Sequence, residues 1–178
     1  GINVNIAMHH CKEVSYLVND KYYFAIGYKN DINGYELRNK YFKGCTSKAP
    51  TTNGVGNDVC KVFEGFVDYL SYLTLKNTFH LQESSVVLNS VSNLEKAQSF
   101  IKSHNTIMTY LDNDEAGQRA ISFLKSFGKN LIDKSSHYQN HKDLNDYLVN
   151  KNNLKNKLTD DIDEGIKSEL SNSYRRKR

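Results

Sequence analysis

Two aspartates separated by one residue close an apolar segment near the middle of the chain. Residues 107–111 read IMTYL, and Asp112 and Asp114 follow directly, ahead of a helical pattern. Carboxylates two positions apart at a strand end project to the same side of a sheet. Like charges held this close are unfavourable unless a cation lies between them, and Mg²⁺ is often bound by carboxylates together with substrate phosphates. The pair therefore indicates metal-dependent phosphate chemistry; the alternative is that one Asp only caps the helix.

Two further acidic segments also follow predicted strands. The apolar run VCKVF leads directly into a Glu-Gly pair with an Asp four residues after the Glu, and the segment HKDLND comes after a fourth apolar run. Ligands of open parallel sheets bind at the carboxyl ends of the strands. We therefore expect the three acidic segments to converge at one edge of a sheet.

Alternating apolar segments between residues 59 and 150 predict strands and helices in turn. Strands are predicted at Val59–Phe63, Ser85–Leu88, Thr106–Leu111 and Asn130–Asp133. Helices are predicted at about Phe66–Lys76, from Leu94 to Ile101 with Asn93 as cap, from Ala116 to Leu124 with Gly128 at the end, and around Leu144–Leu148. Such short strand–helix repeats predict an α/β fold with a mainly parallel sheet of about four strands flanked by helices.

The first 57 residues show a different pattern, that of a small α+β unit. Asn3–Lys12 is predicted as a helix, Tyr22–Tyr28 and Tyr35–Arg38 flank a turn typical of a β-hairpin, and Thr51–Gly56 is interpreted as a loop. The predicted domains are an N-terminal basic α+β subdomain (1–57), a catalytic α/β domain (58–150) and a C-terminal helical or flexible basic tail (151–178).

Composition narrows the class of protein. The net charge is +4 over 178 residues, and basic side chains are concentrated in the segment 38–48 and at the C-terminus. No apolar run approaches the roughly 18 residues that span a membrane, and the first ten residues lack a secretory signal. The three cysteines form no CxxC pair, so we expect reduced thiols and a cytoplasmic protein without membrane partners. The start at Gly1 favours a larger parent protein.

Histidines give weaker signals. His9 and His10 precede Cys11 but lack a second ligand pair at zinc spacing, so we interpret them as a helix end or linker. His137 and His141 are four residues apart in a segment that does not suggest a regular helix, and we interpret them as surface residues.

The order of the acidic segments resembles that of the Toprim domain of bacterial primases, type IA and type II topoisomerases, some nucleases and recombination mediators. Asp68 matches the bacterial (DnaG-like) primases in particular, whose last motif looks like Lys-Asp-Pro-Asp; here Asn145 stands at the final carboxylate. The resemblance covers about residues 22–148 and includes GYELRNKYFKGCTSK, which is similar to a basic segment in primase-like proteins of plasmids and conjugative elements. The segments that fit the family pattern are Glu64-Gly65, Asp112-x-Asp114-x-Ala116-Gly117 and Lys142-Asp143.

The resemblance implies a role for each matching residue. Glu64 would act as a general acid/base or metal organiser, and Asp112 and Asp114 would be catalytic residues that hold Mg²⁺ or Mn²⁺ with help from Asp68 and Asp143. Phosphoryl transfer depends on positioning and charge neutralisation, which these residues could supply. The expected contacts to nucleotide or DNA phosphates are Arg38, Lys43, Lys48 and Lys142; a solvated hairpin face is the alternative for the first three.

The expected function is primase-type nucleotidyl transfer. Such a protein would make RNA primers on single-stranded DNA from ribonucleoside triphosphates, as the catalytic fragment of a mobile-element replication protein, with a replicative helicase as a further partner. The alternatives are a Toprim nuclease and a non-catalytic Toprim scaffold that binds DNA or a partner. Haloacid-dehalogenase-like phosphatases also use Asp-x-Asp, but they favour Gly and Thr or Val where Glu115 and Ala116 stand here.

Overall fold

Two β-sheets organise residues 1–155, the part of the chain that this computed structural model describes. The first sheet is antiparallel, with strands in the order β1-β2-β3-β4. The second has the order β5-β7-β6-β8-β9. The strands are Cys11–Val18 (β1), Lys21–Lys29 (β2), Tyr35–Arg38 (β3), Lys43–Cys45 (β4), Thr51–Asn53 (β5), Val59–Phe63 (β6), Ser84–Val87 (β7), Thr106–Tyr110 (β8) and Asn130–Asp133 (β9).

Five α-helices accompany the two sheets within residues 1–155. They are Val4–His10 (α1), Phe66–Lys76 (α2), Leu94–Lys102 (α3), Glu115–Lys125 (α4) and a helix that covers residues 144–155 (α5). No helix within residues 1–155 has the length and apolar character needed to cross a membrane. Most of the predicted C-terminal tail, residues 156–178, lies outside the described residues.

The second sheet is mainly parallel, which confirms the predicted α/β class. Strand β6 pairs in parallel with β7 and β8, β8 pairs in parallel with β9, and only β5 is antiparallel. Phe63 is opposite Val87 on one side and Tyr110 on the other, so the residues that follow these three strands emerge at the same edge. This shared edge is the place predicted for the acidic residues.

The core is divided between the two faces of this sheet. Successive strand residues point to opposite faces, so Val62 packs with helices α3 and α4 while Phe63 packs with helix α2. The ring of Phe63 lies 5.4 Å from that of Tyr72 and 5.0 Å from that of Tyr110. Helix α1 joins the same cluster through Ile6, so the N-terminal segment is anchored on helix α2.

Several predicted elements differ from the structure at their ends. Helix α1 ends at His10 because Cys11 begins strand β1 and is opposite Tyr28. The segment interpreted as a loop contains strand β5, which pairs with β7, so that interpretation is wrong for Thr51–Asn53. Asn93 precedes helix α3, but its side-chain amide donates to the Leu88 carbonyl (2.9 Å) and makes no cap hydrogen bond. Strands β1 and β4 were not predicted, and the three-part division of the chain stays a prediction.

Candidate metal and nucleotide site

A cleft of about 160 Å³ opens between the carboxyl edge of the parallel sheet and strands β3 and β4. Both acidic and basic side chains line it, so opposite charges share the same space. The charged residues that line it are Glu36, Arg38, Lys43, Glu64, Asp68, Asp112, Lys142 and Asp143.

Three aspartates form the most compact acidic group of residues 1–155, here called the aspartate cluster: Asp68, Asp112 and Asp143. One carboxylate oxygen from each lies within 4.8 Å of the other two. Asp68 comes from the first turn of α2, Asp112 follows β8, and Asp143 precedes α5. Oxygens that share one Mg²⁺ at 2.0–2.1 Å lie roughly 3 to 4 Å apart. Small side-chain movements would therefore bring the cluster to the spacing of a metal site.

The electrostatics of the aspartate cluster favour a cation. Burial, together with the charges of Asp143 and Asp112, raises the pKa of Asp68, which is 7% exposed, to about 8. Burial likewise raises the pKa of Asp112 to about 7, with Glu64 and Asp143 adding to the rise while Lys142 opposes it. Carboxylates that repel one another in a poorly solvated place are stabilised in their charged form by a bound cation. The all-oxygen donor set fits a hard divalent ion.

Glu64 lies beside the aspartate cluster and contacts it directly. Its Oε2 accepts a hydrogen bond from the main-chain N–H of Asp112 (3.3 Å). Burial raises the pKa of Glu64 and nearby Asp114 raises it further, while that hydrogen bond, Lys43 and Lys142 oppose the rise. The structure thus brings Glu64 and Asp112 together at one sheet edge. A carboxyl group with a raised pKa is suited to exchange a proton near neutral pH.

Asp114 has a different environment from the other predicted ligands. It is exposed, and its Oδ1 accepts a hydrogen bond from the Gly117 N–H (2.9 Å), so it caps helix α4. The capping alternative therefore applies to Asp114. It is not among the three mutually close carboxylates of residues 1–155, and its assignment as a metal ligand and catalytic residue stays a prediction.

Gly117 allows helix α4 to begin directly against the backbone of Asp112. A Cβ at this position would lie far inside van der Waals distance of the Asp112 carbonyl oxygen. Since neither group is the flexible end of a side chain, the strand end or the helix must shift to accommodate a methyl group.

We predict that Gly117→Ala displaces Asp112 and weakens divalent-metal binding by about tenfold or more, with a loss of about 1–3 kcal/mol in the free energy of unfolding. Isothermal titration with Mn²⁺ and chemical denaturation measure the two effects. Gly54→Ala is the matched control because a Cβ there would make only an ordinary 3.5 Å contact with Phe100. Equal Mn²⁺ affinity in the two variants would contradict the prediction.

Asn145, which stands where the family pattern has a carboxylate, contacts Asp68 through its main chain. The main-chain N–H of Asn145 donates to Asp68 Oδ1 (3.2 Å), and its side-chain Oδ1 accepts from Ser71 Oγ (3.2 Å). Asp146 does not replace the missing carboxylate, since its Oδ2 lies 3.2 Å from His141 Nδ1. Position 145 thus supports Asp68 through the backbone, and Asp146 lies outside the aspartate cluster.

The predicted basic residues separate into two groups. Arg38, Lys43 and Lys142 line the cleft. Lys48 does not line it. Burial raises the pKa of Glu36 and the charge of Lys48 opposes that rise, while the Lys48 carbonyl accepts a hydrogen bond from Lys96 on α3. Three of the four predicted phosphate contacts therefore line the same cleft as the carboxylates.

Asn89 also lines the cleft, although it is not among the residues predicted from the sequence. It follows strand β7 in the left-handed conformation (φ 63°), and its Nδ2 donates to the carbonyl of Ala49 (3.0 Å) and to Thr51 Oγ1 (3.3 Å). Its Oδ1 is buried and has no hydrogen-bond partner within residues 1–155. Its position directly after a buried strand, like that of Asp112, is the signal that could have identified it.

Comparison with known families and structures agrees with this geometry. Residues 61–148 match the Toprim-like family model, and this range contains the parallel part of the second sheet almost entirely and the whole aspartate cluster. Residues 61–148 form a Toprim domain. The N-terminal residues 1–47 match a domain of unknown function (DUF8464). No curated protein sequence matches the chain significantly.

Solved structures with the same fold come from a phage. The primase fragment of the bacteriophage T7 primase-helicase protein matches with a TM-score of 0.59 and 17% identity, over 85% of this chain and 66% of that fragment. The primase domains of T7 gp4, bound to an RNA/DNA hybrid and dTTP with the lagging-strand DNA polymerase, match with a TM-score of 0.51 and 17% identity, over 71% and 70% of the two chains. At this identity the likeness concerns the fold alone.

Proposed function

We propose that this protein is a primase-type nucleotidyltransferase that makes RNA primers on single-stranded DNA with Mg²⁺ or Mn²⁺. The observation that carries the proposal is the arrangement of one cleft, where the aspartate cluster and Glu64 face Arg38, Lys43 and Lys142. Metal-dependent chemistry on a polyanion needs both charges in one place: carboxylates for the ion and cations for the phosphates. The fold shared with the T7 primase fragment supports the same reaction class.

Different residues of the cleft would have different roles in this reaction. Asp68, Asp112 and Asp143 would hold the metal, which would neutralise charge on the reacting phosphate. Glu64, next to Asp112, would exchange a proton with the attacking hydroxyl. The cations that line the same cleft would bind the triphosphate or the template backbone.

The proposed function also involves a protein partner and DNA. The T7 match belongs to a primase-helicase protein, and we propose that this chain acts with a replicative helicase in a cytoplasmic replication protein of a mobile element. Binding of DNA by the N-terminal basic subdomain belongs to the same proposal.

A template assay tests the function. Single-stranded DNA, ribonucleoside triphosphates and Mg²⁺ or Mn²⁺ are expected to yield short RNA products. Cleavage of DNA without synthesis would instead indicate a nuclease, and DNA binding without turnover in the full-length parent protein would indicate a scaffold.

We predict that Lys43→Gln raises the KM for ribonucleoside triphosphates about tenfold, since a charge-assisted hydrogen bond to phosphate contributes about 1.5–3 kcal/mol. Steady-state kinetics at fixed template concentration measure the change. Lys125→Gln is the control, because Lys125 is an exposed residue of the last turn of α4 and does not line the cleft. An unchanged KM in Lys43→Gln would remove this lysine from the nucleotide site.

A further inference from the structure

Three histidines distant from the cleft converge on one point. His9 and His10 end helix α1, and His80 lies in the connection between α2 and β7. One ring nitrogen from each lies within 4.8 Å of the other two. The ring centroids are 4.8 Å apart for His9 and His80 and 5.0 Å apart for His9 and His10. The chain separates His80 from the other two by some 70 residues, so only the fold brings the three together.

A hydrogen bond fixes the tautomer of one of these rings. His10 Nε2 lies 2.8 Å from the main-chain carbonyl oxygen of Phe79. A carbonyl can only accept, so Nε2 carries the proton and Nδ1 of the neutral ring keeps its lone pair. Donation from one ring nitrogen to a backbone carbonyl is the usual arrangement behind a metal-binding histidine, because it orients the ring and makes the other nitrogen a better ligand.

We propose that His9, His10 and His80 form a binding site for a divalent transition-metal ion of the Zn²⁺ type. Imidazole nitrogen suits Zn²⁺, Co²⁺, Ni²⁺ and Cu²⁺, whereas the aspartate cluster offers only the oxygen ligands that suit Mg²⁺ or Mn²⁺. Zn²⁺ is bound by nitrogen at about 2.0–2.1 Å in sites with three protein ligands and one open position. His9 and His80 are exposed, so an ion and a water molecule can reach the site.

The site would connect two parts of the chain. His9 and His10 belong to the segment that matches the domain of unknown function, and His80 belongs to the Toprim domain. His10 also packs against Tyr69 of helix α2, with ring centroids 5.4 Å apart. An ion held by all three rings would fasten helix α1 to the loop after α2, and it would stabilise the folded protein by an amount that grows with the logarithm of its affinity.

Metal titration tests the site without any measurement of activity. Zn²⁺ and Co²⁺ are titrated into the untagged full chain in millimolar Mg²⁺, which is expected to occupy the aspartate cluster. The expected result is one transition-metal ion per chain, a rise in the melting temperature with Zn²⁺, and visible absorption of a four-coordinate nitrogen-ligated Co²⁺. His80→Gln and His9→Gln are each expected to lower the affinity at least tenfold.

Two controls keep the outcome decisive. His137→Gln removes an exposed histidine outside the group and should bind Zn²⁺ as the wild type does. Asp112→Asn should also leave the Co²⁺ spectrum unchanged, which separates this site from the one in the cleft. Binding that survives in the folded His9→Gln/His80→Gln double variant, or that is lost equally in His137→Gln, would overturn the proposal. Circular dichroism of the metal-free variants verifies that they fold.

Discussion

Asp112→Asn is expected to lower metal-dependent primer synthesis by a factor of about 10²–10³ and to weaken Mn²⁺ binding. The substitution preserves the size of the side chain and removes one charge from the aspartate cluster, so the effect comes from lost ion binding and not from lost packing. Removal of a single preorganised electrostatic contact typically costs an enzyme this much. Primer synthesis measured against Mn²⁺ concentration and Mn²⁺ electron paramagnetic resonance measure the two effects separately.

Asp146→Asn is the matched control for this variant. It makes the same chemical change in the segment that contains Asp143, but Asp146 is exposed and contacts His141 outside the cluster. We expect its activity and Mn²⁺ affinity to stay within about twofold of the wild type, as an exposed ion pair contributes little. If Asp112→Asn and Asp146→Asn behave alike, the assignment of the metal site is wrong.

The metal-free protein is expected to lose stability as the pH rises from about 5 to 8, and Mg²⁺ should restore it. The pKa of Asp68 is raised from 3.8 to about 8 and that of Asp112 to about 7, so the folded state holds protons that the unfolded state has released. Stability falls with pH wherever the folded state binds more protons. We expect the melting temperature of the metal-free protein to drop by about 5 °C or more across this range, with a much smaller drop at saturating Mg²⁺.

The variant Asp68→Asn isolates the contribution of the aspartate cluster to the pH dependence of stability. Burial lowers the pKa of His10, which makes stability rise with pH near neutrality and opposes the carboxylate effect. Because Asp68→Asn leaves His10 unchanged, the difference between the wild-type and variant melting curves reports the aspartate cluster alone. A difference that stays constant from pH 5 to 8.5 without metal would show that Asp68 is not protonated in the folded state.

The parallel strands were predictable because they are short runs of largely apolar residues whose ends are marked by residues nearby in the sequence. The prediction for β6 at Val59–Phe63 and that for β9 at Asn130–Asp133 agree with the structure at both ends. Strand β5 could not be predicted this way, since Thr51–Asn53 is polar and becomes a strand only through pairing with β7. Strand β1 was missed for a related reason: half-exposed residues in CKEVSYLV give no clear alternation, and the partner strand decides the conformation.

The candidate site likewise combines features that the sequence predicted with features that only the structure shows. Spacing alone placed Glu64 and Asp112 at strand ends, and the structure brings them together at one edge. Spacing also paired Asp112 with Asp114, whereas the carboxylates that lie within 4.8 Å of that of Asp112 in the aspartate cluster are those of Asp68 and Asp143, from two other segments. Carboxylates that are close in the sequence were easier to assign to one site than carboxylates that are close only in the folded structure.

The sequence by itself determined that carboxylates follow the strands of a parallel sheet, because strand ends and helix starts depend on residues close in the chain. Only the tertiary structure decided which carboxylates share one place, that Asn89 enters the cleft and that His80 meets His9 and His10. These associations depend on how helices pack across the sheet. The raised pKa values of Asp68 and Asp112 depend in turn on burial. Both arise from contacts between segments far apart in the sequence, which local patterns do not record.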